Sequence, residues 1–307
     1  MSYLPSPPRS PFLPPLVILF VLFQKSSVVS AWGRAGHSLT ALIAEHIVSP
    51  ETTDYLSSIL LNETLSSVAN WADSITHDEP WTQSLHFINV QGSPSSPCSA
   101  SSPSSCVFDY SRDCADDICV AGAIANYTSR MSSPASAEDL YLSTKFLTHF
   151  VGDVHQPLHC ARDVDRGGNT ISPVKYTVTD QGDEFNLHQV WDFGIIENHL
   201  AAAYNSDLDL YADELVAMVG PGGEYASLVE EWLACPDGAD KECTSKWGVE
   251  SVETSLEFAY VNMEGEQIVA GDEIGEDYAK DRLSVVEQRL AMGGVRLAAI
   301  LDKLAEA

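Results

Sequence analysis

The residues best placed to do chemistry in this chain are histidines and aspartates four positions apart. His149 to His159 reads H-F-V-G-D-V-H-Q-P-L-H, and Asn186 to Asp192 reads N-L-H-Q-V-W-D. In each, a histidine and an aspartate (His149 with Asp153, His188 with Asp192) would rise from one face of a helix. Imidazole nitrogen and carboxylate oxygen converging in this way make a cation site of the kind Zn²⁺ prefers. His159 lies beyond Pro157 and is free to fold back towards the first pair. One such pair alone is as readily a helix-end histidine satisfied by backbone; two of the same spacing favour the metal. His37, Asp73 and His86 stand in the phrases W-G-R-A-G-H, N-W-A-D and S-L-H-F-I. Singly, each reads more simply as a cap, a solvated acid or a hydrogen-bonded core histidine.

The elements that must carry these side chains are mostly helical. An apolar-periodic run spans Leu39 to Val48, and Ser49-Pro50-Glu51 reads as a cap and first-turn proline for a helix reaching Leu61. A short helix is expected from Ser67 to Asp73, then an extended piece at Ser84 to Ile88. Gln91 to Cys106 turns to serine and proline and reads as an exposed loop. Helical pattern resumes from Asp116 to Met131. Ser136 caps the next helix, which begins at Ala137 and carries His149. Val174 to Val178 alternates, and Asp180 to Asp183 can turn it into a small hairpin. Further helices are expected over Asp209 to Val219, Tyr225 to Ala234, Ser245 to Met263 and Tyr278 to Leu304. The fold class is therefore all-α, mainly helical, as one domain over 32–307 with a small β-hairpin.

Composition limits the partners. With 44 acidic against 16 basic residues in 307, net charge −28, the surface repels nucleic acid, so contact with it must rest on local positive charge such as bound metal. Arg9, the apolar run Phe12 to Phe23 and the small residues Val29-Ser30-Ala31 have the order of a secretory signal, giving residues 1–31 as a leader and Trp32 as the first mature residue. Cleavage removes only Arg9 and Lys25 among charged residues, so the mature chain is more acidic still. Asn62 and Asn126 head N-glycosylation triplets, and an exported chain accommodates disulfides. Cys114 with Cys119 and Cys235 with Cys243 are close pairs; Cys98 and Cys106 flank the serine-rich loop and form a third candidate. Cys160 is left over, either a soft metal ligand or, by preference, an inert buried thiol.

Seven phrases occur in order: W-G-x-x-G-H, W-A-D, S-L-H-F-I, H-F-V-G-D-x-x-Q-P-L-H, G-G-N, N-L-H-x-x-W-D and a late G-G-x-R-L-A. Together they resemble the S1/P1 nuclease family of secreted, zinc-dependent, single-strand-preferring nucleases and 3′-nucleotidases, across the whole chain from Trp32, and most closely its plant-type members. The resemblance implies the phospholipase C/P1 nuclease-like fold and three Zn²⁺. Asp73, His86 and His149 would hold one, with Asp153 bridging; His159, His188 and Asp192 would hold another. Trp32, through its α-amino nitrogen and backbone oxygen, would hold the third with His37 and Asp153. It also implies attack by a zinc-bridging hydroxide on single-stranded DNA, RNA or 3′-nucleotides, yielding 5′-phosphates, with Asp73, Asp153 and Asn169 in catalytic positions. Phe87 would stack a base, and Asn89 and Asn169 would contact substrate. A monomer, extracellular or vacuolar and free of the membrane once the leader is removed, is implied as well.

Three positions depart from the family pattern. Thr76 stands where many relatives carry Arg or Lys, which removes a cation able to steady transition-state charge, at a cost of about 10²-fold or more. Asn89 replaces an aspartate concerned with base preference. Leu256 replaces a cysteine, which leaves Cys106 to pair with Cys98. His46, His77, His155 and His199 match no ligand position and read as solvated or locally hydrogen-bonded. The competing readings are a zinc phosphodiesterase of the phospholipase C kind, or a secreted zinc protein whose catalysis has decayed.

Overall fold

The computed structural model describes residues 32–178, 181–235 and 239–306. The expected leader, residues 1–31, lies outside them, as do Thr179 and Asp180, the latter part of the expected turn. The architecture is helical, with three two-stranded β ladders among the described residues. The helix Ala137–His155 runs through the middle, flanked by Arg34–Ile47, Val120–Ser132, Lys241–Thr254 and the long C-terminal helix Gly275–Ala305. No helix among the described residues is long and apolar enough to cross a membrane.

Local chemistry explains most of the boundaries. The Ser49 side chain accepts from the Thr52 N–H at 3.1 Å, with Pro50 at the first helical position, and the helix runs Pro50–Ile59. Ser136 accepts from Asp139 N–H in the same way and starts the central helix, which runs to His155 before Pro157 stops it. The helix expected from Asp116 begins only at Val120, because Asp116 (φ 58°) and Asp117 (φ 63°) adopt left-handed conformations that break it. The short helix expected over Ser67 to Asp73 is two pieces, Leu65–Val68 and Trp71–Ile75, so Asp73 sits inside a helix and not at its end. Tyr225 to Ala234 forms mostly turns, with helix only over Val229–Trp232. Two stretches, Val190–Gly194 and Ser255–Ala259, widen into π-turns. The hairpin pairs Val174–Val178 with Gly182–Phe185. A parallel pairing of Ile88–Val90 with Cys160–Arg162 is not legible in either segment alone, since a parallel partner lies far off in sequence.

Close packing fixes how the helices meet. A Cβ on Gly294 would stand 2.4 Å from Ile43 Cγ2, so a bare Cα there lets the C-terminal helix press onto the first. The late G-G-x-R-L-A phrase is thus structural. Its Arg296 forks onto Glu250 at 2.6 and 2.9 Å and lies 3.0 Å from His155 Nε2. His155 is buried, with Nδ1 2.7 Å from the Val151 carbonyl, as befits a locally hydrogen-bonded histidine. Buried Arg289 donates to the His155 carbonyl at 3.0 Å, satisfying an otherwise orphaned acceptor at the end of the central helix.

Disulfides join Cys98–Cys106, Cys114–Cys119 and Cys235–Cys243, each as the sequence indicates. Cys160 is free and fully buried, and burial pushes its thiol up to about 12. At pH 8 it therefore carries almost no thiolate, the reactive form. We expect the folded protein to resist iodoacetamide at pH 8 and the denatured, unreduced chain to take up one equivalent. Labelling of the folded form would show the thiol to be accessible.

Candidate metal centre

The central helix supplies the floor of the site. His149 and Asp153, one turn apart, point the same way, with His149 Nε2 3.3 Å from Asp153 Oδ2. Trp71–Ile75 brings Asp73 against them, Oδ1 being 3.4 Å from His149 Nε2 and 3.6 Å from His86 Nδ1. His86 sits where a 3₁₀ turn (Pro80–Leu85) gives way to the Ile88–Val90 strand, and its Nδ1 is 3.0 Å from Asp153 Oδ2. From the first helix, His37 stacks on His149 at 3.8 Å between centroids, and its Nε2 is 3.3 Å from the other Asp153 oxygen. Gly152 makes that approach possible, because a Cβ there would stand 2.7 Å from His37 Nδ1.

A second cluster lies beyond Pro157. His159 and His188 face one another, Nε2 to Nε2, at 3.0 Å, and Asp192 stands 3.4 Å from His188 and 3.8 Å from His159. The His188–Asp192 spacing crosses the junction of an α-turn and a π-turn, yet both side chains still reach the same point. Three groups result, each with one donor atom per residue within 4.8 Å of the others: Asp73, His86 and His149; His37, His149 and Asp153; His159, His188 and Asp192.

The hydrogen bonds show what these atoms await. His149 Nδ1 lies 2.6 Å from the Ala69 carbonyl, His159 Nδ1 2.7 Å from that of His86, and His188 Nδ1 2.7 Å from that of Gly167. A carbonyl only accepts, so each Nδ1 carries the proton and each Nε2 turns a lone pair inward. Two such lone pairs facing each other at 3.0 Å repel unless a cation lies between them. Both oxygens of fully buried Asp153 and both ring nitrogens of His37 lack a hydrogen-bond partner among the described residues. Buried polar atoms left in that state are costly. The donor set fits a bound divalent cation and fits little else.

Titration follows the same logic. Burial, then the neighbouring His149, lowers His37 to about 4. Burial, then His159, takes His188 down to about 3, so both imidazoles stay neutral. Burial alone would raise Asp73 and Asp153; His149 outweighs it, bringing Asp73 to about 2 and, with His37 and His86, Asp153 well below the carboxylate range. His149 is pulled upward despite burial by Asp153 and Asp73, a proton standing in the cation's place. Asp192 is raised by burial, against the hydrogen bond from Gln156.

Other sequence-derived positions fall around this centre. Trp32 is fully buried, and its Cδ1 would lie 3.7 Å from a Cβ on Gly152, the same point that crowds His37. Phe87, directly after His86, is half-buried and packs into none of the apolar clusters of the described residues. Asn89 is half-buried on the strand, in register with Ala161. Asn169 donates to the Arg166 carbonyl at 2.9 Å and accepts from Asn186 at 3.3 Å, so it is tied to the loop beside His188. The Thr76 hydroxyl turns back onto the Asp73 carbonyl at 2.8 Å and offers no charge to the site. Asn62 and Asn126 are both exposed. Cys160 belongs to none of the three metal-capable groups. Gln156 was not singled out by its sequence: its amide donates to Asp192 at 2.5 Å while its oxygen accepts from Leu158 N–H at 2.5 Å, tying the turn at Pro157 to the second cluster.

Comparison with known proteins agrees with this construction. Residues 32–306 match the sequence model of the family described as S1/P1 Nuclease. Endonuclease 2 of Arabidopsis thaliana is 33% identical over 303 residues, covering 94% of this chain and 96% of the relative. Nuclease P1 of Penicillium citrinum is 32% identical over 280 residues, covering 89% and 97%, and Nuclease S1 of Aspergillus oryzae 33% over 286 residues, covering 89% and 92%. The ordered phrases, the helical frame and the length of these matches converge: the chain belongs to the S1/P1 nuclease family.

Proposed function

We propose that the protein is a zinc-dependent phosphodiesterase that hydrolyses single-stranded DNA and RNA, and 3′-mononucleotides, to 5′-phosphate products. The observation that supports it most is the convergence of five histidines and three aspartates on one centre in which both oxygens of buried Asp153 lack a hydrogen-bond partner among the described residues. A mixed imidazole and carboxylate donor set suits zinc. Asp73, His86 and His149 would hold one ion, His159, His188 and Asp192 a second, and His37 with the Trp32 terminus a third, with Asp153 shared between the first and third. Zinc bound there supplies Lewis-acid stabilisation of the phosphodiester and activation of water.

The chain's own residues do the rest. The carbonyls of Ala69, His86 and Gly167 hold three imidazoles in the metal-binding tautomer. Phe87 offers a ring face outside the core, and stacking tolerates any base, which favours a nucleic-acid substrate over a lipid phosphodiester. Asn169 marks the rim beside His188. Positive charge concentrated at the centre attracts phosphate locally despite the acidic surface, and the scarcity of lysine and arginine suits short or single-stranded substrates. Export with removal of residues 1–31 and action as a monomer complete the reading.

Purified protein beginning at Trp32 is expected to release mononucleotides from single-stranded DNA and RNA, and phosphate from a 3′-mononucleotide. Prolonged chelation abolishes these activities and zinc restores them, with about three zinc ions per chain by elemental analysis. A zinc-loaded protein inert on all three substrates would mean that catalysis has decayed, the outcome foreshadowed by Thr76. Turnover of a phospholipid in their place would favour the lipid reading.

A further inference from the structure

The loop between the Cys160–Arg162 strand and the hairpin bears a buried carboxylate with no part in the metal groups. Asp165 Oδ1 accepts from the Gly168 N–H at 2.8 Å and from the Tyr260 hydroxyl at 2.9 Å. Its Oδ2 lies 2.7 Å from Arg162 Nε, an ion pair whose N–H is not aligned for a hydrogen bond. Arg162 is itself buried, its guanidinium 3.4 Å over the Tyr260 ring and one nitrogen 2.8 Å from Gln267 Oε1. Arginine, aspartate and tyrosine thus form a buried polar unit, in which loss of any partner costs another buried group an interaction.

What that unit holds is a backbone that would not hold itself. Arg166, Gly167 and Gly168 follow one another at φ 53°, 61° and 82°, a left-handed run that is unfavourable for arginine. Gly167 is pressed in so tightly that a Cβ would meet the Leu158 carbonyl oxygen at 2.1 Å and His188 Nδ1 at 3.3 Å. The run turns the Gly167 carbonyl onto His188 Nδ1 at 2.7 Å and leaves Asn169 against Asn186, which caps the helix carrying His188. Asp165 grips this run at the Gly168 N–H, one residue beyond the carbonyl that sets the His188 tautomer.

We infer that Asp165 is a positioning residue for the second metal group: anchored by Arg162 and Tyr260, it fixes the Gly167 carbonyl and through it the metal-binding face of His188. The inference rests on the zinc reading above and deepens it. Residues that orient a metal-ligating histidine typically contribute about 10- to 100-fold in metal affinity.

The test is metal retention in Asp165→Asn, a near-isosteric change that keeps an acceptor for Gly168 but gives up the charge facing Arg162. In competition with a chromophoric chelator, one of the bound zinc ions is expected to come away at about 10- to 100-fold lower chelator concentration than in the unsubstituted protein. The other ions should leave as before. Turnover of D165N should rise on adding zinc, while that of the unsubstituted enzyme does not. Tyr260→Phe, which removes one hydrogen bond and keeps the ion pair, should show a weaker effect of the same sign. Tyr211→Phe serves as control: it breaks a buried hydrogen bond to Glu287 (3.2 Å) between residues outside all three groups, and should lower the melting temperature without loosening any zinc. Wild-type retention of all zinc by D165N would overturn the inference, as would equal loosening of every ion in step with stability. Failure of the zinc reading itself would appear elsewhere, as absent metal or activity in the unsubstituted protein.

Discussion

Replacing Asp153 with asparagine is expected to leave a folded protein that keeps the metal of the His159–His188–Asp192 group and holds the other two weakly or not at all. Asp153 is fully buried, and its two oxygens divide their neighbours: His86 and His149 lie about one carboxylate oxygen and His37 about the other. Only a carboxylate can serve ions on both sides. Asparagine presents one oxygen with lone pairs and one amide nitrogen without any, and brings no charge. Hydrolysis of single-stranded DNA should fall at least about 10²-fold, the upper end of what loss of a mere supporting residue of a metal site costs. At neutral pH the metal-free variant should melt below the metal-free parent, because, against its burial, His149, His37 and His86 hold Asp153 well below the carboxylate range, so its charge stabilises the folded state above the ordinary carboxylate pKa. Elemental analysis, turnover and melting of the stripped proteins together decide the matter. Three tightly held ions with undiminished turnover would refute the bridging role.

Retention of a single residue before Trp32 should be nearly as damaging, and by a different route. An α-amino nitrogen has a lone pair to give, whereas an amide nitrogen has surrendered its own to the carbonyl. Trp32 is locked in place by its surroundings. It is fully buried; Gly33 N–H donates to the Asp192 carbonyl at 2.6 Å; and a Cβ on Gly36 would stand 2.8 Å from Trp32 Cβ. Protein carrying Ala31 should therefore bind about one ion fewer per chain and lose at least about 10²-fold in activity. Its metal-free melting temperature should hardly change. Two preparations, with termini verified by intact mass, suffice for the comparison. Equal turnover and equal zinc content in both would remove the N-terminus from the metal centre.

Local chemistry made much of this molecule legible beforehand. The Ser49 and Ser136 caps, the hairpin and the disulfides all depend on residues close in sequence, and all occur as read. Misreadings arose where a pattern admits two backbones. An apolar-periodic run from Asp116 gives no sign that two residues will turn left-handed, and Tyr225 to Ala234 has helical composition but lies in turns. The π-turns at Val190 and Ser255 leave no periodic signature, since each is a single wide turn set by packing.

The centre divides along the same line. By itself the sequence determined the two His-x₃-Asp pairs, because the helical repeat places residues four apart on one face whatever surrounds them. It also determined the donor chemistry and, through the ordered phrases, the family. The resemblance implied that Asp73 and His86 share an ion with His149 and that Asp153 bridges; tertiary structure alone decided that His37 stacks on His149 across a bare Gly152, and which oxygen of Asp153 faces which histidines. It alone placed the carbonyls of Ala69, His86 and Gly167 behind the imidazoles, and Asp165 behind the last of these. Every residue has a carbonyl, so none can be read as special from the chain; which three orient a histidine depends on the packing of segments 21 to 80 residues apart.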